Sequence, residues 1–224
     1  MNECLEKDFA SIGVIFRDAG AGKIELLTIN CSDPRGFSKI KFPTETREPN
    51  ESPWTTLVNG LNRELGVDPE RPMIQVEPFN QTGDGEPKPI LTISLEGDPG
   101  KPPIHEKHVF LVSIVRGGDA FRKTNRIEPD GDVLSPPVFT EARELMRLMQ
   151  ERGLLHHQCA LFKALECLAV KRPVCDEYQD FLGDSSFDTF KQDEEAISAE
   201  FRRIQAEKRL RRQERSEQRL SRHR

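Results

Sequence analysis

Residues 39–66 place a short alternating strand, a proline-ended loop and a capped amphipathic helix in immediate succession, an order that any fold of this chain must accommodate. In Lys39-Ile40-Lys41-Phe42-Pro43 polar and apolar residues alternate, and the run ends at Pro43, which has no N–H to give to a strand ladder. After a polar loop, Ser52 can accept hydrogen bonds from the free N–H groups of a first helical turn, and Pro53 suits the first helical position. Trp54, Leu57, Val58, Leu61 and Leu65 recur at helical spacing, so one face is apolar. Gly66 is expected to close the helix in the left-handed conformation.

The rest of the chain supplies a sheet for this helix. Residues 8–17 and 23–30 read as a hairpin with its turn at Asp18 to Gly22, and Ile12, Val14 and Phe16 share one face. Strand-like runs follow at 73–79, 90–95 and 108–115, and helical patterns at 140–149 and 154–170, the last with Leu161, Leu165 and Leu168 on its core stripe. Strands, a helix, more strands and two helices predict an α/β chain with a mixed sheet and helices packed against it. The compact domain is expected to span 1–170, with a linker or loosely docked segment at 171–192 and an Arg-rich tail, helical or disordered, at 193–224. A length of 224 residues fits one domain with additions. The longest nearly apolar stretch, His108 to Val115, is far too short to span a bilayer, and the first residues lack a signal-peptide pattern, so a cytoplasmic protein without membrane contact is expected. The five Cys form no C-x-x-C pair and read as reduced thiols.

Residues 45–67 have the length and layout of the Nudix box, G-x5-E-x7-R-E-U-x-E-E-x-G-U with U aliphatic, and the sequence resembles the Nudix hydrolase superfamily there. Glu51, Leu61, Glu64, Gly66 and Val67 agree with the pattern, whereas Glu45, Asn59, Gly60 and Arg63 stand where it has Gly, Arg, Glu and Glu. The resemblance extends over about residues 8–170 and implies a Nudix-like α/β/α sandwich with a mixed sheet, here followed by a charged C-terminal helix. In active members, box carboxylates at i, i+3 and i+4 hold divalent metals that clamp a diphosphate and activate water. The matching positions here are Gly60, Arg63 and Glu64, so one ligand of that set survives, and the guanidinium of Arg63 repels Mg²⁺. Glycine inside a helix costs about 1 kcal/mol relative to alanine. Gly60 therefore signals relaxed selection, or a neighbour or ligand that uses the space.

Two functional readings result. In one, the protein has a degenerate metal site and is a weak or inactive hydrolase, a pseudoenzyme that acts as a nucleotide- or RNA-binding or interaction module. In the other it is an active pyrophosphohydrolase of nucleoside diphosphate derivatives, with Mg or Mn held by Glu51 and Glu64 and by displaced carboxylates such as Glu45 or Glu48.

Other candidates are weaker. A strand through His105-Glu106-Lys107-His108 puts the two imidazoles on opposite faces, so a shared ion is not expected. His156 and His157 are helix neighbours about 100° apart, and a surface or capping role is expected. The charge is unevenly spread: residues 201–224 carry nine Arg and one Lys against three Glu, a balance of +7, which leaves −12 on residues 1–200 out of a total of −5. Arg202, Arg203, Arg209, Arg211, Arg212 and Arg215 are candidate contacts for RNA or a protein partner. The alternative is a solvated tail or one that folds back on the acidic body.

Overall fold

The computed structural model describes residues 8–66, 74–80, 85–96, 103–117, 121–128, 131–171, 182–185 and 193–222. The expected linker thus lies mostly outside the described residues, as do Val67, Cys4 and Cys175. The chain opens with β1 (Asp8–Gly20) and β2 (Lys23–Ser32), paired antiparallel with Phe16 opposite Leu26. Next come β3 (Ser38–Lys41), β4 (Thr44–Thr46) and α1 (Pro53–Leu65). The strands β5 (Gln75–Pro78), β6 (Leu91–Glu96) and β7 (Pro103–Arg116) follow. Short strands β8 (Arg126–Ile127), β9 (Val133–Leu134) and β10 (Val138–Glu141) lead to α2 (Ala142–Arg152), α3 (Leu155–Lys171) and α4 (Glu194–Arg222). No described helix is long and apolar enough to cross a membrane.

The strands form one mixed sheet whose central path runs β5-β7-β1-β2-β9-β8. At its centre β1 and β7 are parallel, with Asp8 beside His105 and Phe16 beside Ser113. Both faces of these strands are apolar, as central strands covered on two sides must be. Ile15, Leu27, Phe110 and Val112 meet Leu57, Leu61 and Leu65 of α1. The opposite face, with Ile12, Val14, Phe16 and Leu111, meets Leu145 and Met149 of α2 and Leu161 and Leu165 of α3. Gly13 lets α1 approach, since a Cβ there would stand 3.0 Å from Leu57 Cδ1. The result is the expected α/β/α sandwich.

Three local expectations are corrected. Gly66 has φ −71° and ψ 159°, an extended conformation and not the left-handed one, because it bridges Phe121 as the chain leaves α1. Its N–H still returns to Asn62 O at 3.0 Å. His156 and His157 are not surface residues: they are 6% and 1% exposed. His157 is covered by Phe42, whose N–H donates to its Nδ1 at 3.4 Å and whose ring lies 5.9 Å away, and His156 by α4, whose Glu200 accepts from the neighbouring Leu155 N–H. The apolar stripes also continue past Val170, since Ile197 of α4 is 1% exposed and belongs to the main core.

Candidate functional site

Ser52 caps α1 by accepting from Thr55 N–H at 3.2 Å, and Pro53 opens the helix, so its first face is held against the loop 44–52. At the other end Glu64 is buried and accepts from Lys41 Nζ at 2.8 Å and from Thr44 N–H at 2.9 Å. Burial pushes the Lys41 pKa down, and the Glu64 carboxylate outweighs this, so the ammonium is held above its ordinary range. Glu51 lies apart, on the loop, where it accepts from Asn59 Nδ2 at 2.7 Å, Thr56 Oγ1 at 3.0 Å and Glu48 N–H at 3.2 Å. Burial raises its pKa and these hydrogen bonds outweigh the effect, leaving it below the usual carboxylate range. Asn59, the residue in place of the box Arg, thus still holds a carboxylate, with a neutral amide.

Gly60 has a clear occupant for its empty side: a Cβ built there would stand 2.2 Å from Glu45 Cβ and 2.7 Å from its Cγ. The Glu45 side chain fills the space that a side chain at position 60 would take. Burial raises the Glu45 pKa, Arg63 opposes this, and the negative charge of Glu64 adds to it. Arg63 Nε lies 3.4 Å from Glu45 Oε2, and its Nη1 also pairs with Glu48. The carboxylate whose charge reaches Glu64 is therefore Glu45, while Glu51 is engaged elsewhere.

Glu64 and Glu45 line a cavity of about 430 Å³ together with Lys41, Lys107, His156 and His157. One part of its wall is α4, through Phe201, Ile204, Glu207 and Arg211, and another is the segment from Arg126 to Leu134. Glu200 anchors the helix by accepting from Leu155 N–H at 2.8 Å. Phe201 stacks on His105 at 5.6 Å between ring centroids and 14° between planes, and Arg211 Nη1 lies 3.0 Å from Asp132 Oδ1. His108, by contrast, faces the other side and meets Glu106 at 3.4 Å and the Phe9 ring at 5.2 Å, so the two strand histidines do not converge. Among the tail arginines, Arg203 and Arg209 are exposed, Arg202 is half-buried and Arg211 is in the cavity wall. The side chains of Arg212 and Arg215 lie outside the described residues.

The chemistry of this donor set does not fit Mg²⁺ or Mn²⁺. Divalent ions of this kind take oxygen ligands, and here an ammonium and a guanidinium hold the carboxylates that would supply them. Among the described residues, no group of three or more His, Cys, Asp or Glu is arranged to hold a metal ion. Sequence reasoning named Glu64, Glu51 and Glu45 but missed Lys41 and Lys107 as cavity residues. Their signal was faint: Lys39 and Lys41 alternate with Ile40 as solvent-facing residues of a strand commonly do.

No protein-family model matches the chain, and no curated protein matches it. Among solved structures, a possible asymmetric diadenosine tetraphosphate hydrolase from Jonesia denitrificans aligns over 74% of this chain and 96% of its own, with TM-score 0.52 and 15% identity. The chain has the Nudix fold. A Nudix hydrolase from Nitrosomonas europaea aligns over 77% of this chain and 95% of its own, with TM-score 0.49 and 14% identity. A C. elegans Ap4A hydrolase aligns over 73% and 98%, with TM-score 0.41 and 21% identity. Residues 45–66 run from β4, which pairs with β1, through a loop into α1.

Proposed function

We propose that this Nudix-fold chain binds a nucleotide or nucleoside diphosphate derivative in the cavity beside α1 and is a weak or inactive hydrolase, its box carboxylates neutralised from within the chain. The observation that carries this reading is the pair of internal cations, Lys41 on Glu64 and Arg63 on Glu45 and Glu48. Unit charges about 4 Å apart attract by about 4 kcal/mol at an effective dielectric of about 20. A divalent ion entering here must displace an attraction of that order twice and leave two cations beside it. The cavity nonetheless keeps the cations, imidazoles and aromatic ring that suit a nucleoside phosphate, the class named for the Jonesia denitrificans protein. Cys31, Cys159 and Cys167 form no disulfide among the described residues, and burial pushes the Cys159 thiol up to about 12.

The test is isothermal titration of the protein with ADP, with and without Mg²⁺. A turnover assay over nucleoside triphosphates, sugar nucleotides, dinucleotides and capped RNA, with Mg²⁺ or Mn²⁺, complements it. Binding that needs no divalent ion, with no turnover, supports the reading. The second reading, an active hydrolase, is favoured by Glu45 delivering a carboxylate into the space beside Gly60. Metal-dependent turnover abolished by Glu64→Gln would establish that second reading in place of the first. The exposed Arg203 and Arg209 are the described tail arginines open to RNA, whereas Arg211 is paired with Asp132.

A further inference from the structure

The two ends of α4 are held to the body in different ways. Near its start Ile197 is 1% exposed and shares the main core with Cys159, and Glu200 accepts from Leu155 N–H at 2.8 Å. Phe201 and Ile204 then line the cavity. Beyond them the helix is held by ion pairs: Glu207 Oε2 lies 3.7 Å from Arg35 Nη2, and Arg211 Nη1 lies 3.0 Å from Asp132 Oδ1. Leu210, on the same stretch, is 59% exposed. Apolar burial holds the near end firmly, whereas the Arg35 side chain is 58% exposed and a pair of that kind contributes little. Arg211 Nε is buried with no hydrogen-bond partner among the described residues. A donor left in that state opposes the closed position, since water satisfies it once the helix tilts away. Ile197 and Arg211 stand about 21 Å apart along the helix axis, so a tilt of about 10° about the first moves the second by about 4 Å. Such a tilt parts the Asp132 pair and leaves the contacts of Ile197 nearly in place.

We propose that α4 is a gate on the cavity beside α1, held docked at Ile197, latched at Glu207 and Arg211, and opened when its far half tilts away from Asp132. The gate concerns access and applies whatever the cavity takes up, so it stands apart from the nucleotide reading. The chain carries a reporter for each end. Cys31 lines the cavity and donates to Asp132 Oδ2 at 3.8 Å, so its thiol and the Arg211 guanidinium flank one carboxylate. Cys159 is 3% exposed and sits in the core that Ile197 joins. Opening of the far end uncovers the first thiol and not the second.

The experiment treats the full chain with N-ethylmaleimide at one fixed pH and follows each cysteine by peptide mass spectrometry. Arg211→Ala, Arg211→Lys and Glu207→Gln are compared with the natural protein, and each is first checked by thermal melting. A labelling rate limited by a rare opening scales with the open population. Loss of a hydrogen bond between charged groups is enough to raise that population about tenfold or more. Arg211→Ala should therefore label Cys31 about tenfold faster at an unchanged Cys159 rate. Loss of the cation by itself favours the neutral thiol and slows labelling, so a faster rate reports access. Arg211→Lys should keep most of the natural protection. Glu207→Gln, which loses the more exposed pair, should label Cys31 about two- to fivefold faster, and it remains informative if Arg211→Ala does not fold. An unchanged Cys31 rate in Glu207→Gln and in folded Arg211→Ala would overturn the gate and make α4 a fixed wall. Equal acceleration of Cys31 and Cys159 would overturn it too, because the helix then leaves as a whole. Neither result touches the nucleotide reading, which the ADP titration decides by itself.

Discussion

A Cβ on Gly60 meets Glu45 Cβ at 2.2 Å, so positions 45 and 60 cannot both carry a long side chain without a shift of backbone. Overpacking of this kind costs about 1–3 kcal/mol. Gly60→Glu alone should therefore lower the urea midpoint, and Glu45→Gly added to it should restore most of the loss. Rebuilding a carboxylate face on α1 accordingly takes three changes, Glu45→Gly, Gly60→Glu and Arg63→Glu. Isothermal titration with Mn²⁺ should detect binding in that folded triple variant and not in Gly60→Glu with Arg63→Glu alone. Equal metal affinity in both would show that the Glu45 contact does not control the site. Lys41 is the other informative residue. Removing one partner of a buried pair costs about 3–5 kcal/mol, because the remaining charge is stranded. The Glu64 carboxylate keeps its bond from Thr44 N–H, so Lys41→Met should fall at the lower end of that range in denaturant titrations.

At the scale of elements, α4 is the piece whose role is least evident from composition. Burying Ile197 stabilises its docking, and Ile→Ala in a core costs about 2–5 kcal/mol. Ile197→Ala and deletion of residues 193–224 should each lower the melting temperature, whereas a merely tethered tail would leave it unchanged. The docking should also weaken in acid. Burial first, then Lys107, depress His105 from 6.5 to about 4 despite Asp8, and burial holds His156 well below its ordinary value. A histidine depressed in the folded state binds fewer protons there than in the unfolded chain. Its contribution is complete above pH 6.5 and is lost as the pH falls toward about 4. Urea midpoints should decline across that window, and His105→Gln should flatten the decline. An unchanged slope in that variant would assign the acid sensitivity to other groups. Helix α1 was legible in the sequence because its cap, its proline and its apolar stripe are all local. Strands β8, β9 and β10 were not, since two to four residues without alternation carry no period. The sequence left the docking of α4 as one alternative, a tail folded back on the acidic body, because what Ile197, Phe201 and Ile204 touch lies far away in the chain.

For the molecule as a whole, the decisive asymmetry is an acidic body of −12 and a tail segment of +7. Docking of α4 spends Arg211 on Asp132 and leaves Arg203 and Arg209 outward. Each arginine that neutralises an RNA phosphate adds about 1 to the salt dependence of binding. Anisotropy titrations at several salt concentrations should therefore give a shallower slope for Arg209→Ala, while Arg211→Ala should change the melting temperature and not the slope. RNA affinity that is insensitive to salt would remove this function from the tail. The cavity itself was illegible for a related reason: Lys41, Lys107, His156 and Phe201 come from four separate stretches, and only the closed fold makes them neighbours. That separation also sets an order of events during synthesis. Leu155 and its anchor Glu200 are 45 positions apart, which at about 5–20 residues per second is about 2–9 s of translation. A nascent chain thus carries its finished α1 for seconds with the imidazole of His156 facing water, until α4 swings in behind it.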